Sequence, residues 1–272
     1  MSNERPDMIP HIVLTHGRSG SNFLVNVLNQ HPNIVNYGEV LGPWTTPARL
    51  YRVAKILGAQ RPDFLDWMLG SRSALIAGQT YRALSQVMRG EQPTFKRHQH
   101  VRSAGIKDFA FLFERLHLGD YLQQRDSVRV IYLLRRNSFK RYLSLLKMSE
   151  TGVVKVEKSR PSEAPTSIRV DVDDLLRNLE IYASEIEFGE TLISQLDQSR
   201  VLRVEYEDYF SSDAAMQRTN ADVFRFLGVQ NHPVRAKHQR INTQPLDRQI
   251  VNFDEVASAL EGGAFGHFLV DM

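Results

Sequence analysis

Short apolar runs alternate along this chain with longer stretches in which apolar residues recur every three or four positions. "HIVLTH" (11–16) is a β-branched run closed by glycine, which predicts a buried parallel strand. In "SNFLVNVLNQH", Phe23, Leu24, Val27 and Leu28 fall on one helical face, and His31-Pro32 stops the helix. "PARLYRVAKILGAQ", "PDFLDWMLG" and "ALIAGQTYRALSQVMRG" predict helices punctuated by Gly and Pro. "GIKDFAFLF" (105–113) and "VRVIYLLRR" (128–136) predict strands, and "NSFKRYLSLLKMSE" a helix with an Asn or Ser cap. "DLLRNLEIYASEIEFGETLISQL" places Leu175, Leu179, Tyr182, Ile186, Ile193 and Leu196 at core helical spacing. "RVLRVEYED" (200–208) predicts a further strand and "NADVFRFLGV" a further capped helix. Strands alternating with helices predict an α/β fold, a parallel sheet flanked by helices on both faces.

Residues 151–170 lose all periodicity and carry two prolines, which predicts a flexible surface loop. A length of 272 residues accommodates one α/β domain over 1–272, with a helical insert at about 45–102. Insert and loop are the segments expected to wall a ligand site, because diversity on α/β folds is grafted into connections.

Composition narrows the function more than the fold. A net charge of +3 is too balanced for nucleic acid to be the main partner. The chain has no cysteine, which excludes disulfides, thiolate metal sites and cysteine nucleophiles. The start, "MSNERPDMIPH", lacks the basic and apolar regions of a signal peptide, and no run approaches the roughly 18 apolar residues of a membrane span. A cytoplasmic protein is the expectation.

The chemistry begins at "THGRSGSNF" (15–23), between the first strand and the first helix. Backbone N–H groups at a helix N-terminus are unpaired and sit at the positive end of the helix dipole. Gly17 and Gly20 let the backbone curl around an anion, Ser19, Ser21 and Asn22 add donors, and Arg18 adds a permanent charge. The loop is suited to a phosphate-like group. It is neither a Walker A loop, since no lysine follows Gly20, nor a dinucleotide G-x-G-x-x-G.

Gly17-Arg18-Ser19-Gly20-Ser21-Asn22 resembles the 5′-phosphosulfate loop of sulfotransferases that use 3′-phosphoadenylyl sulfate (PAPS), in the Arg-Ser-Gly-Ser form of the carbohydrate-type and bacterial branches. The resemblance implies a P-loop-like sulfotransferase fold with PAPS as co-substrate and no metal. It extends through "LLRRNSFKRYLS", where Arg136 ends a strand and Ser144 follows eight residues later. In the family such a pair holds the 3′-phosphate. Arg135, Lys140 and Arg141 deepen the local positive field. In "VEYEDY", Tyr206 matches the tyrosine that contacts adenine in the family. The matches run from about residue 11 to 228.

Sulfuryl transfer to a hydroxyl gains from a general base. Glu39, in "NYGEVLG", matches the carboxylate that serves as base in several carbohydrate-type members. Cytosolic members use a histidine in a Lys-x-His segment. Here Lys107-Asp108-Phe109 keeps the lysine and lacks the histidine, which turns the assignment towards Glu39 and leaves Lys107 to stabilise the transferring group. His16 is a further residue that could face the acceptor; His98 and His100 lie in a charged stretch without supporting carboxylates and predict no metal site. The implied acceptor is a small molecule or carbohydrate. A P-loop-type small-molecule kinase and a non-catalytic nucleotide-binding module remain the alternative readings.

Overall fold

The computed structural model describes residues 8–151, 167–234 and 245–269. Its elements, in order, are β1 (Ile9–Thr15), α1 (Ser21–Gln30), β2 (Ile34–Asn36), α2 (Thr46–Ile56), α3 (Arg61–Gly70), α4 (Arg72–Met88), β3 (Ser103–Phe109), α5 (Ala110–Arg115), α6 (Gly119–Gln123) and β4 (Arg129–Leu134). The chain continues with α7 (Ser138–Thr151), α8 (Val172–Ser194), β5 (Val201–Glu205), α9 (Tyr206–Tyr209), α10 (Asp213–Phe226), α11 (Leu246–Gln249) and α12 (Phe253–Leu260). The five strands form one all-parallel sheet in the order β2-β3-β1-β4-β5.

The sheet is apolar on both faces because successive strand residues point to opposite sides. Ile12 and Leu14 of β1, with Val130 and Tyr132 of β4, pack into a core shared with α3, α5, α6 and α8. Val13, Ile131 and Leu133 point the other way, against Leu24, Val27 and Leu28 of α1 and Phe224 of α10. A third cluster joins Phe139 and Leu143 of α7 to Leu175 and Leu179 of α8 and to α11 and α12. Helices on both faces are therefore observed.

Three readings of the sequence change. The segment 105–113 is not one strand: β3 ends at Phe109 and α5 starts at Ala110, burying Leu112 and Phe113 in the same core as Ile106. No glycine, proline or capping side chain separates the two, so nothing local marks the change. The strand expected over 200–208 stops at Glu205, so Tyr206 opens the single turn of α9. Asn220 is no cap. The helix starts seven residues earlier, capped by Ser212, and Asn220 lies buried inside it, accepting a hydrogen bond from the Tyr209 hydroxyl. The cap of α7 is Asn137, whose Oδ1 accepts from Lys140 N at 2.8 Å. Most of the loop expected at 151–170 lies outside the described residues. Three helices and a 3₁₀ turn stand between β2 and β3.

Candidate active site

Parallel strands of this order carry their ligand sites beyond their carboxyl ends, where connections leave in opposite directions. The ends of β1, β3 and β4 adjoin: Thr15 is in register with Phe109 and with Leu133. Everything that follows sits on that edge.

After Thr15 the backbone turns sharply, with Arg18 and Gly20 both left-handed at φ 61° and 79°. Gly20 is required: a Cβ there would sit 2.9 Å from the Phe210 ring and 3.1 Å from the Tyr206 ring. Ser19 is buried, its hydroxyl bonded to Thr15 Oγ1, which in turn donates to the Leu133 carbonyl at 2.9 Å. That hydroxyl therefore locks the turn to the sheet. Ser21 is buried and Asn22 exposed at the start of α1. Among the described residues, the backbone N–H groups of residues 18–22 have no hydrogen-bond partner. They form an open set of donors at the head of a ten-residue helix.

Three arginines surround this turn. The Arg18 side chain reaches α7, donating from Nε to Ser144 Oγ at 3.0 Å and lying 3.4 Å from the Met148 sulfur. Arg135 donates to the Arg18 carbonyl at 3.0 Å and stacks on Tyr206, 4.5 Å from the ring centre. Arg141 pairs with Glu185 at 2.6 Å, covers the Tyr182 ring, and sits against Gly17. Burial pulls Arg18 and Arg135 below the ordinary arginine range. Arg135 Nε and both Nε and one terminal nitrogen of Arg141 are buried without a hydrogen-bond partner among the described residues. Desolvated guanidinium groups with orphaned donors are arranged for an anion.

The structure brings Arg18 and Ser144 together and does not bring Arg136 to Ser144. Arg136 is 66% exposed and ion-pairs with Glu205. Strand parity explains the difference. Arg135 continues the side of Ile131 and Leu133, facing the β1 loop, whereas Arg136 continues that of Tyr132 and Leu134. Glu207 accepts from the backbone N–H groups of Arg136 and Asn137 at 3.1 Å each, filling the N-terminus of α7. Tyr206 is half-buried between Gly20, Phe210 and Arg135.

On the other side of β1, Glu39 and Lys107 meet as an ion pair. Lys107 is only 2% exposed and lies 4.4 Å from the Phe109 ring centre. The second oxygen of Glu39 accepts from the Trp44 indole at 2.7 Å, and Trp44 stands out over Phe109. A carboxylate offers about four lone-pair sites, so two donors leave room for a third. The segment is positioned from below by Asp108, buried, whose Oδ2 accepts from Val40 and Leu41 N–H at 2.9 and 2.7 Å. Burial pushes the Asp108 carboxyl up to about 6 against those bonds.

His16 does not face open space. It is buried, bonded to the Tyr132 hydroxyl at 3.1 Å, and driven down to about 3 by burial and by Arg141, which leaves it a weak base. Among the described residues no group of His, Asp and Glu could hold a metal ion, and no helix is long and apolar enough to cross a membrane. Sequence reading missed Asp108 as a support, Glu185 and Glu207 as partners, and Arg135 as the arginine facing the loop. Only Arg135 had a signal, the parity of its strand.

Two solved sulfotransferases align with the chain at low identity and low TM-score. The sulfotransferase domain of the Synechococcus PCC 7002 olefin synthase is 17% identical, covering 100% of this chain and 94% of its own, at a TM-score of 0.45. A sulfotransferase from Alicyclobacillus acidocaldarius is 15% identical, covering 96% and 94%, at a TM-score of 0.42. Sequence similarity is fuller. Nodulation protein H of Rhizobium tropici is 27% identical over 271 residues, 98% of this chain and 96% of that protein. Nodulation protein H of Rhizobium meliloti strain 1021 is 25% identical over 262 residues, 95% and 94%. No family model matches the chain.

Proposed function

We propose that the protein transfers a sulfuryl group from PAPS to a hydroxyl of a small-molecule or carbohydrate acceptor, releasing adenosine 3′,5′-bisphosphate. The observation that carries this reading is the open donor turn at 18–22, cross-linked by Arg18 to Ser144 and flanked across β1 by the Glu39–Lys107 pair. The acceptor oxygen attacks sulfur and its proton passes to Glu39. The bond from sulfur to the nucleotide phosphate breaks, and the charge left on that phosphate meets Arg18 and the amides of Gly17 to Asn22. Lys107, held beside Glu39, stabilises the transferring group. Tyr206 contacts the adenine, and the 3′-phosphate falls to an arginine at the end of β4, Arg136 by the resemblance or Arg135 by strand parity, with Ser144 opposite.

The last assignment sets a test. A nucleotide bearing the 3′-phosphate binds about 10–100-fold more tightly than its unphosphorylated counterpart, because charge-assisted contacts are worth roughly 1.5–3 kcal/mol. Calorimetry with both nucleotides on wild type, Arg135→Ala and Arg136→Ala reads it. Equal affinities for the two nucleotides in wild type remove the 3′-phosphate site. If only Arg135→Ala abolishes the difference, the strand-parity arginine holds that phosphate in place of Arg136.

A kinase on this fold needs a lysine in the loop and a magnesium-binding hydroxyl after it. The loop has neither at Ser21 and Asn22. Turnover therefore persists at full rate in excess chelator. Loss of activity there, restored by magnesium, reverses the choice, and PAPS binding without any turnover marks a non-catalytic module.

A further inference from the structure

Large apolar side chains are exposed almost exclusively in one region. Among the described residues fourteen are exposed, and twelve of these lie between Trp44 and Phe95. Soluble surfaces scatter such residues singly, so a concentration in one segment marks an interaction surface. The same region concentrates positive charge. Residues 45–102 hold ten Lys and Arg against three Asp and Glu, a net of +7, leaving 24 basic and 28 acidic residues elsewhere.

Both properties meet on α2, an eleven-residue helix. Ala48 and Tyr51 are its buried side. Its outward side carries Leu50, Val53 and Ile56, continued by Leu57 just past its end, the last two 84% and 85% exposed. Arg49, Arg52 and Lys55 are interleaved with them, all exposed, and none forms an ion pair among the described residues. In the same insert, the C-terminal turn of α4 exposes Val87 and Met88, the latter 87% exposed. A helix packed on the protein by two residues, with an aliphatic stripe and unpaired cations turned outward, has the composition of an interfacial helix.

We propose that this surface docks on an anionic lipid bilayer, with Leu50, Val53, Ile56 and Leu57 entering the headgroup boundary and Arg49, Arg52 and Lys55 meeting the lipid phosphates. Charge decides against a second copy of the chain. A two-fold interface sets the same patch against itself, and like charges would be brought together. An anionic membrane satisfies both halves of the surface at once. The inference stands independently of the reaction proposed above.

The test is flotation of the full chain with vesicles rich in phosphatidylglycerol and, separately, vesicles of phosphatidylcholine alone. Wild type floats with the anionic vesicles, much less with the neutral ones, and less again as salt is raised. Arg49→Gln, Arg52→Gln and Lys55→Gln together lower the anionic-vesicle partition coefficient by on the order of a hundredfold, each cation near such a surface contributing about fivefold. Leu50→Ser, Val53→Ser, Ile56→Ser and Leu57→Ser together abolish flotation with an unchanged melting temperature. Wild type that stays with the soluble fraction, or flotation indifferent to salt and to both sets of changes, overturns the proposal. So does sedimentation showing a dimer that the serine set converts to monomer, which assigns the surface to a second copy.

Discussion

Replacing Glu39 with glutamine lowers single-turnover sulfuryl transfer by about 10²–10⁴-fold, the usual cost of losing a positioned base. The structure adds a condition to that experiment. Lys107 is buried and paired with Glu39, so the amide leaves a buried ammonium without its counter-charge, which destabilises the fold as well as the chemistry. Glu39→Asp separates the two effects. It keeps a negative charge near Lys107 while drawing the carboxylate back by one methylene, so its melting temperature stays closer to wild type while its transfer rate still falls. The pH profile supplies the second readout. Asp108 is held up to about 6 by burial, and below that pH its protonation weakens the acceptor that Val40 and Leu41 N–H groups use to fix the Glu39 segment. Rate then falls as pH drops through about 6 whether or not Glu39 is present. A separate acid limb present in wild type and absent from Glu39→Gln belongs to Glu39. Turnover of Glu39→Gln within a few-fold of wild type, with an identical profile, removes Glu39 as the base.

Arg18→Ala lowers turnover at saturating nucleotide by about 10²–10³-fold, the range for removing a preorganised donor from developing charge. Affinity for the nucleotide falls less, because the free N–H groups of residues 18–22 and the nearby Arg135 and Arg141 remain. The Arg18 side chain is already fixed by Ser144 and Met148, so its orientation costs nothing at the moment of reaction. Arg18→Lys recovers part of the rate, restoring charge without the planar fork. A variant that loses affinity alone, with full turnover at saturation, shows Arg18 to be a clamp.

The strands were legible as short apolar, β-branched runs bounded by glycine or charge, and the helices by their three-to-four-residue period. Where those signals failed, the reading failed. Ile34–Asn36 is a three-residue edge strand, too short to show any pattern, and the 105–113 segment passes from strand to helix with no glycine, proline or capping side chain between them. The loop at 17–22 was visible as a string of small residues and one cation because a backbone site imposes itself on local composition. Partnerships across the sheet were not. That Arg18 reaches Ser144, 126 positions away, or that Asp108 holds Val40 and Leu41, depends on which strand ends adjoin, and nothing local encodes that. The choice between Arg135 and Arg136 was open to sequence reasoning, since the parity of β4 assigns each arginine a face.

The order β2-β3-β1-β4-β5 divides the labour of this edge in a way that bears on how such proteins diversify. The arginine and serine set hangs from β1, β4 and the helices that follow them, while the Glu39–Lys107 pair and α2 to α4 hang from β2 and β3. The two sets share only the central strand. A lineage can therefore recast the helices between residues 45 and 102 without moving Arg18, Arg135, Ser144 or Glu39, much as a tool keeps its handle when the bit is changed.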